Sequence, residues 1–192
     1  ELDTFVEVQS EDVAHKMINS FCTTWNAFSP EHIDPADFPI QKAATAETSL
    51  WLADQGLDNN GATDAMFDAF FLYAKKEVWM IQSFPFISEG LLDKIRVADS
   101  RGVSVNILIS DHKITDDHDR AAHYCIKSLL DAGANVYVYA SPQQTFVHYK
   151  LMMADRTLVA FGSANFNFRS EYLSREMEFI FEDQRVAKKN IR

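Results

Sequence analysis

In the stretch His148-Tyr149-Lys150-Leu151-Met152-Met153-Ala154-Asp155-Arg156-Thr157-Leu158-Val159-Ala160-Phe161-Gly162-Ser163-Ala164-Asn165, two strand-like apolar runs enclose a polar turn, and side chains able to handle phosphate stand at both ends. His148 and Lys150 are two positions apart, so a strand puts them on one face. An imidazole then stands beside an ammonium group. The imidazole can attack phosphorus or protonate a leaving oxygen, and the ammonium can balance charge on the non-bridging oxygens. Ser163 and Asn165 can both hydrogen-bond phosphate oxygens, and Gly162 lets the backbone approach closely with no Cβ in the way. A His-x-Lys alone is an ordinary strand edge, and a Gly-Ser-x-Asn alone an ordinary turn. Together, these residue types form a constellation that phosphoryl chemistry can use.

On either side, strands and helices alternate. Val103-Ser104-Val105-Asn106-Ile107-Leu108-Ile109 is the clearest strand; Val78-Trp79-Met80-Ile81, Asn135-Val136-Tyr137-Val138-Tyr139 and Met177-Glu178-Phe179-Ile180-Phe181 are others. Thr63 reads as the cap of a helix running to about Lys76. Ser88 starts another, with Leu91, Ile95 and Ala98 on one face, and Arg101-Gly102 ends it because glycine accepts the left-handed cap conformation. A third helix covers roughly Asp119 to Ala132 and stops at Gly133. Towards the N-terminus, Thr4-Phe5-Val6-Glu7-Val8 alternates like a half-buried strand. Ser10 looks like an N-cap, with Glu11 and Asp12 favouring the positive helix start. Val13, Met17, Phe21 and Trp25 then form one apolar stripe. Residues 29–45, with Pro30, Pro35 and Pro39, read as a linker. This alternation implies an α/β layered domain around a central mixed, largely parallel sheet. The chain divides into residues 1–45 and a main domain over 46–192.

The run from His148 to Asn165 resembles the HKD signature of the phospholipase D superfamily, His-x-Lys-x-x-x-x-Asp followed by Gly-Ser-x-Asn. The resemblance implies that superfamily's layered α/β/α fold. It also implies a phosphohistidine intermediate, no cofactor and no catalytic metal. Asp155 fills the aspartate position, which in the family is mainly structural. Phe166-Asn167-Phe168-Arg169-Ser170 resembles the family's Arg-Ser continuation; Asn167 departs from the Asp usual in lipid-acting members. Glu176 stands where the family places a glutamate that orients a catalytic histidine, here His148 or that of a partner repeat. By this resemblance the catalytic residues are His148, Lys150 and Glu176, and Lys150, Ser163, Asn165 and Gly162 bind phosphate.

Residues 1–140 hold no second His-x-Lys-x-x-x-x-Asp. Asp3-Thr4-Phe5-Val6-Glu7-Val8 with Val13, Phe21 and Trp25 resembles the segment after the first motif in two-repeat bacterial enzymes. Ser83-Phe84-Pro85-Phe86, Arg101-Gly102-Val103-Ser104-Val105 and Asp131-Ala132-Gly133-Ala134-Asn135-Val136-Tyr137 resemble a second repeat. The chain is therefore similar to the C-terminal portion of a two-repeat phospholipase D or cardiolipin synthase-type enzyme. The second histidine of such relatives serves as general acid to the leaving alcohol, which is the part implied for His148. The partner is an upstream HKD repeat or a second copy of the chain, and an isolated monomer is expected to be inactive.

The 192 residues carry a formal charge of −10, with 47% hydrophobic and 24% charged residues. An acidic chain disfavours nucleic acid, whose binding proteins usually show a basic footprint. Two cysteines, Cys22 and Cys125, make no disulfide framework. His15, His32, His112, His118 and His123 do not recur with acids or cysteines at metal-ligand spacing, and Asp111-His112 with Asp116-Asp117-His118-Asp119 reads as an acidic loop entering a helix. No apolar run reaches the roughly 18–20 residues that span a bilayer. The chain starts at Glu1 and not at Met, so the lack of a targeting signal carries no information on a leader or an upstream domain. The leading expectation is phospholipid phosphodiester cleavage or phosphatidyl transfer, in a bacterial protein with peripheral membrane contact. The alternatives are a single-motif homodimeric phosphodiesterase acting on nucleic acid, and a non-catalytic scaffold of the same fold.

Overall fold

The structure is a computed structural model that describes the chain except residues 1, 2, 4, 41, 43–47, 58–60, 84–85, 111–115, 141–145 and 190–192, and the side chains of 116–119, 122, 186, 188 and 189. The Phe84-Pro85 pair and the Asp111-His112 loop thus lie outside the described residues. The strand expected at 4–8 is not formed: residues 5–8 run as an irregular arm with no ladder partner among the described residues, and Phe5 is exposed. The elements are α1 (Glu11–Phe28), β1 (Ser49–Gln55), α2 (Ala62–Tyr73), β2 (Glu77–Gln82), α3 (Glu89–Ser100), β3 (Ser104–Ser110), α4 (Asp116–Asp131), β4 (Asn135–Tyr139), β5 (Leu151–Ala154), β6 (Leu158–Gly162), α5 (Phe168–Tyr172), β7 (Glu176–Glu182) and α6 (Gln184–Lys189).

The seven strands form one mixed sheet in the order β1-β7-β6-β5-β2-β3-β4. Parallel pairing is confined to β2–β3 and β3–β4, the strands joined through α3 and α4. The other four pairs are antiparallel, so the sheet is mixed but not largely parallel. The reason is local. Ala154 pairs with Leu158, and a three-residue loop is too short for the crossover a parallel pair needs. Asp155 and Arg156 turn the chain at φ 50° and 54°.

The two faces of the sheet have separate cores. Phe67, Phe70 and Phe71 of α2, Leu91 and Ile95 of α3 and Leu129 of α4 cover one face, over Val78, Met80, Ile107 and Met152. On the other, Leu151, Met153, Val159, Phe161 and Phe181 pack with Ala187 of α6 and with Val8 of the N-terminal arm. Strand alternation divides them: even-numbered residues of β5 to β7 face α2, odd-numbered ones face α6.

Local signals fixed the helix ends. Ser10 and Ser88 cap α1 and α3, accepting from the Val13 and Leu91 amides. Gly102 and Gly133 take positive φ after α3 and α4. Thr63, by contrast, does not cap α2. The N-cap is Gly61, and α2 ends at Tyr73 rather than Lys76. The Lys75, Lys76 and Glu77 amides all donate to the Asp155 carboxylate, at 2.9, 2.9 and 3.0 Å. In α1 only Val13 of the stripe is buried; Met17, Phe21 and Trp25 are substantially exposed.

Candidate active site

The motif residues gather at one end of the sheet, on the face under α2. Antiparallel order brings the ends of β1, β2 and β6 level with the starts of β5 and β7. Gln55, Gln82, Gly162 and Glu176 therefore stand at one rim. His148 and Lys150 precede β5, whereas their spacing predicts a place within the strand. They are nonetheless in contact: Lys150 Nζ is 2.5 Å from His148 Nε2 and donates to the His148 carbonyl at 2.8 Å.

The carboxylate at His148 Nδ1 is Asp3, with Oδ2 at 3.4 Å. Glu176 is engaged differently. Its Oε2 accepts from Ser163 Oγ at 2.5 Å and its Oε1 from Ser170 Oγ at 2.6 Å. Ser163 Oγ in turn accepts from the Met177 amide at 3.0 Å. Within this chain, then, Glu176 braces the serine turn, and the acid aligned on His148 comes from the N-terminal arm.

The turn over 162–165 is held from several sides. The Ala164 amide donates to Glu178 Oε1 at 2.6 Å, the Asn165 amide to Ser170 Oγ at 3.0 Å and the Phe166 amide to Gln82 Oε1 at 2.8 Å. Phe166 is fully buried, its ring edge-on to Phe67 with centroids 5.1 Å apart. Gln55 Nε2 donates to the Ser170 and Ser174 carbonyls, at 2.7 and 2.8 Å. Asn167 caps α5, accepting from the Ser170 amide at 2.9 Å. Asn and Asp cap equally well, which makes the departure from the family's Asp neutral for the local fold. Asn165 Oδ1 is buried and accepts no hydrogen bond among the described residues. Beside Asn165 and Glu176 opens a cleft of about 550 Å³, lined also by Phe86, Phe168, Arg169 and Ser174. At Gly162, the space a Cβ would occupy is taken by the Met177 carbonyl and the Glu178 carboxyl.

Asp155 lies at the far end of β5. Besides accepting the three amides before β2, its own amide donates to the Glu77 carbonyl at 2.9 Å. The aspartate thus clamps the β5–β6 hairpin to the start of β2. Burial pushes its carboxyl up, but the amides of Glu77, Lys75 and Lys76 outweigh this and hold it below the ordinary carboxylate range.

Asp3, Gln55, Gln82, Ser170 and Glu178 were not singled out as site residues by the sequence reading. A signal for Asp3 exists. Residues 3–16 align without a gap on 176–189, placing Asp3 on Glu176, Val8 on Phe181, Ser10 on Asp183, Val13 on Val186, Ala14 on Ala187 and Lys16 on Lys189. Each segment runs from an acid to the first turns of a helix, α1 in one case and α6 in the other. Among the described residues, no group of three or more His, Cys, Asp or Glu could hold a metal ion.

A family model described as "Cardiolipin synthase, PLD-like domain" matches residues 69–192. The chain belongs to the PLD-like domain family. It is 27% identical over 193 residues to cardiolipin synthase 1 of Staphylococcus epidermidis, covering 97% of this chain and 38% of that protein. It is 30% identical over 194 residues to the cardiolipin synthase of Listeria welshimeri, with 97% and 39% covered. The chain thus spans under two fifths of the length of these relatives. Among solved structures, the phospholipase D family member Nuc of Salmonella typhimurium superposes with a TM-score of 0.60 at 21% identity, over 74% of this chain and 89% of that one. The phosphatidylserine synthase of Haemophilus influenzae gives 0.57 at 15% identity, over 77% and 38%. Both share the layered PLD-like fold with this chain. Among the described residues no helix is long and apolar enough to cross a membrane.

Proposed function

We propose that the chain supplies one half-site of a phospholipid phosphodiesterase or phosphatidyl transferase, with His148 as its general acid and base. The row Asp3, His148, Lys150 carries this reading. A carboxylate at Nδ1 favours the proton on that nitrogen and stabilises the imidazolium, which makes Nε2 the reacting atom. A second imidazole attacks phosphorus. Its N–P bond forms as the P–O bond to the leaving alcohol breaks, and His148 gives that oxygen its proton. An acceptor alcohol or water then yields its proton to His148 while its oxygen displaces the imidazole from phosphorus. Lys150, Ser163 and Asn165 balance and bind the non-bridging oxygens.

The phospholipid class rests on the relatives' names and on a charge of −10, unfavourable for a nucleic-acid backbone. The likeness of residues 3–16 to 176–189 supports an upstream repeat as the source of the second imidazole, in preference to a second copy of this chain. Peripheral contact with a bacterial membrane follows from such a substrate. The test is phosphatidyl transfer by the full-length protein on phosphatidylglycerol vesicles. His148→Asn should abolish it with the fold retained, and the 192-residue chain as a monomer should not turn over. Turnover first order in strictly monomeric chain, or near-parental activity of His148→Asn, would overturn the reading.

A further inference from the structure

Beneath the 162–165 turn lies the Glu178 carboxyl, which the proposed phosphoryl chemistry does not touch. Glu178 is 2% exposed. Its ladder partners are Ala53 of β1 and Gly162 of β6, neither of them charged. Its Oε1 accepts the Ala164 amide between Ser163 and Asn165, and it fits only because residue 162 is glycine: a Cβ there would fall 2.4 Å from Oε1. The charged groups acting on it are Glu176, two residues away on the same face, and Lys150, ahead of β5. One buried carboxyl therefore adjoins the serine turn, its bracing acid and the motif lysine.

We propose that Glu178 is a positioning residue that works as a neutral acid, holding the turn in shape for an anion and weakening the anion site when it loses its proton. The inference rests on the phosphate-site reading above. Burial pushes the Glu178 carboxyl up to about 8; the Ala164 amide opposes this, Glu176 adds to it and Lys150 opposes it. At neutral pH it is protonated and sets no charge against Glu176 or Lys150. Once ionised, Glu178 sets a second negative charge beside Glu176 and competes for Lys150. By linkage, an anion in the cradle favours the protonated form, so binding above neutrality takes up a proton.

Inorganic sulfate, which does not titrate between pH 6 and 9, is the probe, measured calorimetrically on the full-length protein. Glu178→Gln keeps an acceptor for the Ala164 amide and stays neutral throughout. Parent and variant should bind alike at pH 7. At pH 9 the parent should bind about fivefold more weakly than the variant, the loss expected if about nine tenths of Glu178 is ionised and that form binds poorly. Every other group is common to both proteins and cancels in the comparison. Glu178→Leu, which offers no acceptor, should bind weakly at every pH. Superimposable pH profiles for parent and Glu178→Gln would overturn the inference alone. No sulfate binding to either at pH 7 would overturn the anion site and this inference with it.

Discussion

Asp3 Oδ2 stands 3.4 Å from His148 Nδ1, although the residues are 145 positions apart. In the mechanism proposed above, the contact sets which imidazole nitrogen faces phosphorus. Asp3→Asn keeps the size of the side chain but cannot stabilise an imidazolium. Under the proposed function, kcat of the full-length protein for phosphatidyl transfer should fall about 10²–10⁴-fold, with KM for phospholipid little changed. Steady-state kinetics and a far-ultraviolet circular dichroism spectrum check this. A kcat retained within about threefold would make Asp3 a bystander.

Gly162→Ala tests the closeness of β6 and β7. The new methyl would fall 2.0 Å from the Met177 carbonyl oxygen, which is backbone and cannot swing away. The ladder must open, and the Ser163 amide bond to that carbonyl at 3.1 Å goes with it. We expect a loss of about 3 kcal/mol or more by urea titration, in the range of severe overpacking. A loss below about 1 kcal/mol would show that the strands part easily.

What could be read from sequence followed the range of the interactions. Ser10 and Ser88 were legible as caps because their bonds close within three residues. The motif spacing marked His148, Lys150 and the serine turn because β5, one hairpin loop and β6 separate them. Asp3 was not legible from spacing, since a partner brought by a distant arm leaves no local pattern; only the likeness of 3–16 to 176–189 carries it. Gln55 and Gln82 each end an apolar strand, and a polar residue there gives no sign of which amide it will hold. The stripe of Met17, Phe21 and Trp25 reported that α1 can bury a face, not that this chain supplies the partner. The sheet is mixed, as expected, but less parallel than the strand–helix alternation implies, because alternation says which face is buried and nothing about strand orientation.

Asp155→Ala should destabilise the fold by about 1–3 kcal/mol, because the Lys75, Lys76 and Glu77 amides lose their acceptor and alanine disfavours the positive φ. The clamp is also acid-sensitive. The folded carboxyl is more acidic than the unfolded one, so its contribution is full above the unfolded value near 4 and is lost as pH falls through the lower, folded value. Chemical denaturation at pH 7 and pH 3 should show the gap between parent and Asp155→Ala narrowing at pH 3. An equal gap at both would exclude the carboxylate as the clamp.

Glu171 predicts the opposite slope. It is fully buried on α5, accepts from Ser88 Oγ at 2.8 Å, and leaves Oε1 buried with no donor among the described residues. Across from it are Asp64 of α2 and Lys94 of α3, whose Nζ is 2.9 Å from Asp64 Oδ1. Burial pushes the Glu171 carboxyl from 4.5 up to about 7; the Ser88 hydroxyl opposes this and Asp64 adds to it. Between those values the unfolded chain has released the proton that the folded chain keeps. The folded state binds more protons there, so stability falls as pH rises across the window and stays lowered above it. Glu178 acts in the same direction up to about 8. Glu171→Gln is neutral at every pH, and its amide can donate to Asp64 where the proton did. The variant should match the parent near pH 4.5 and exceed it at pH 8 by on the order of 1–3 kcal/mol. Melting curves of both proteins at the two pH values give the double difference directly. If the variant is less stable at pH 8, Glu171 is ionised in the fold, and the ammonium of Lys94 rather than a proton joins α2, α3 and α5.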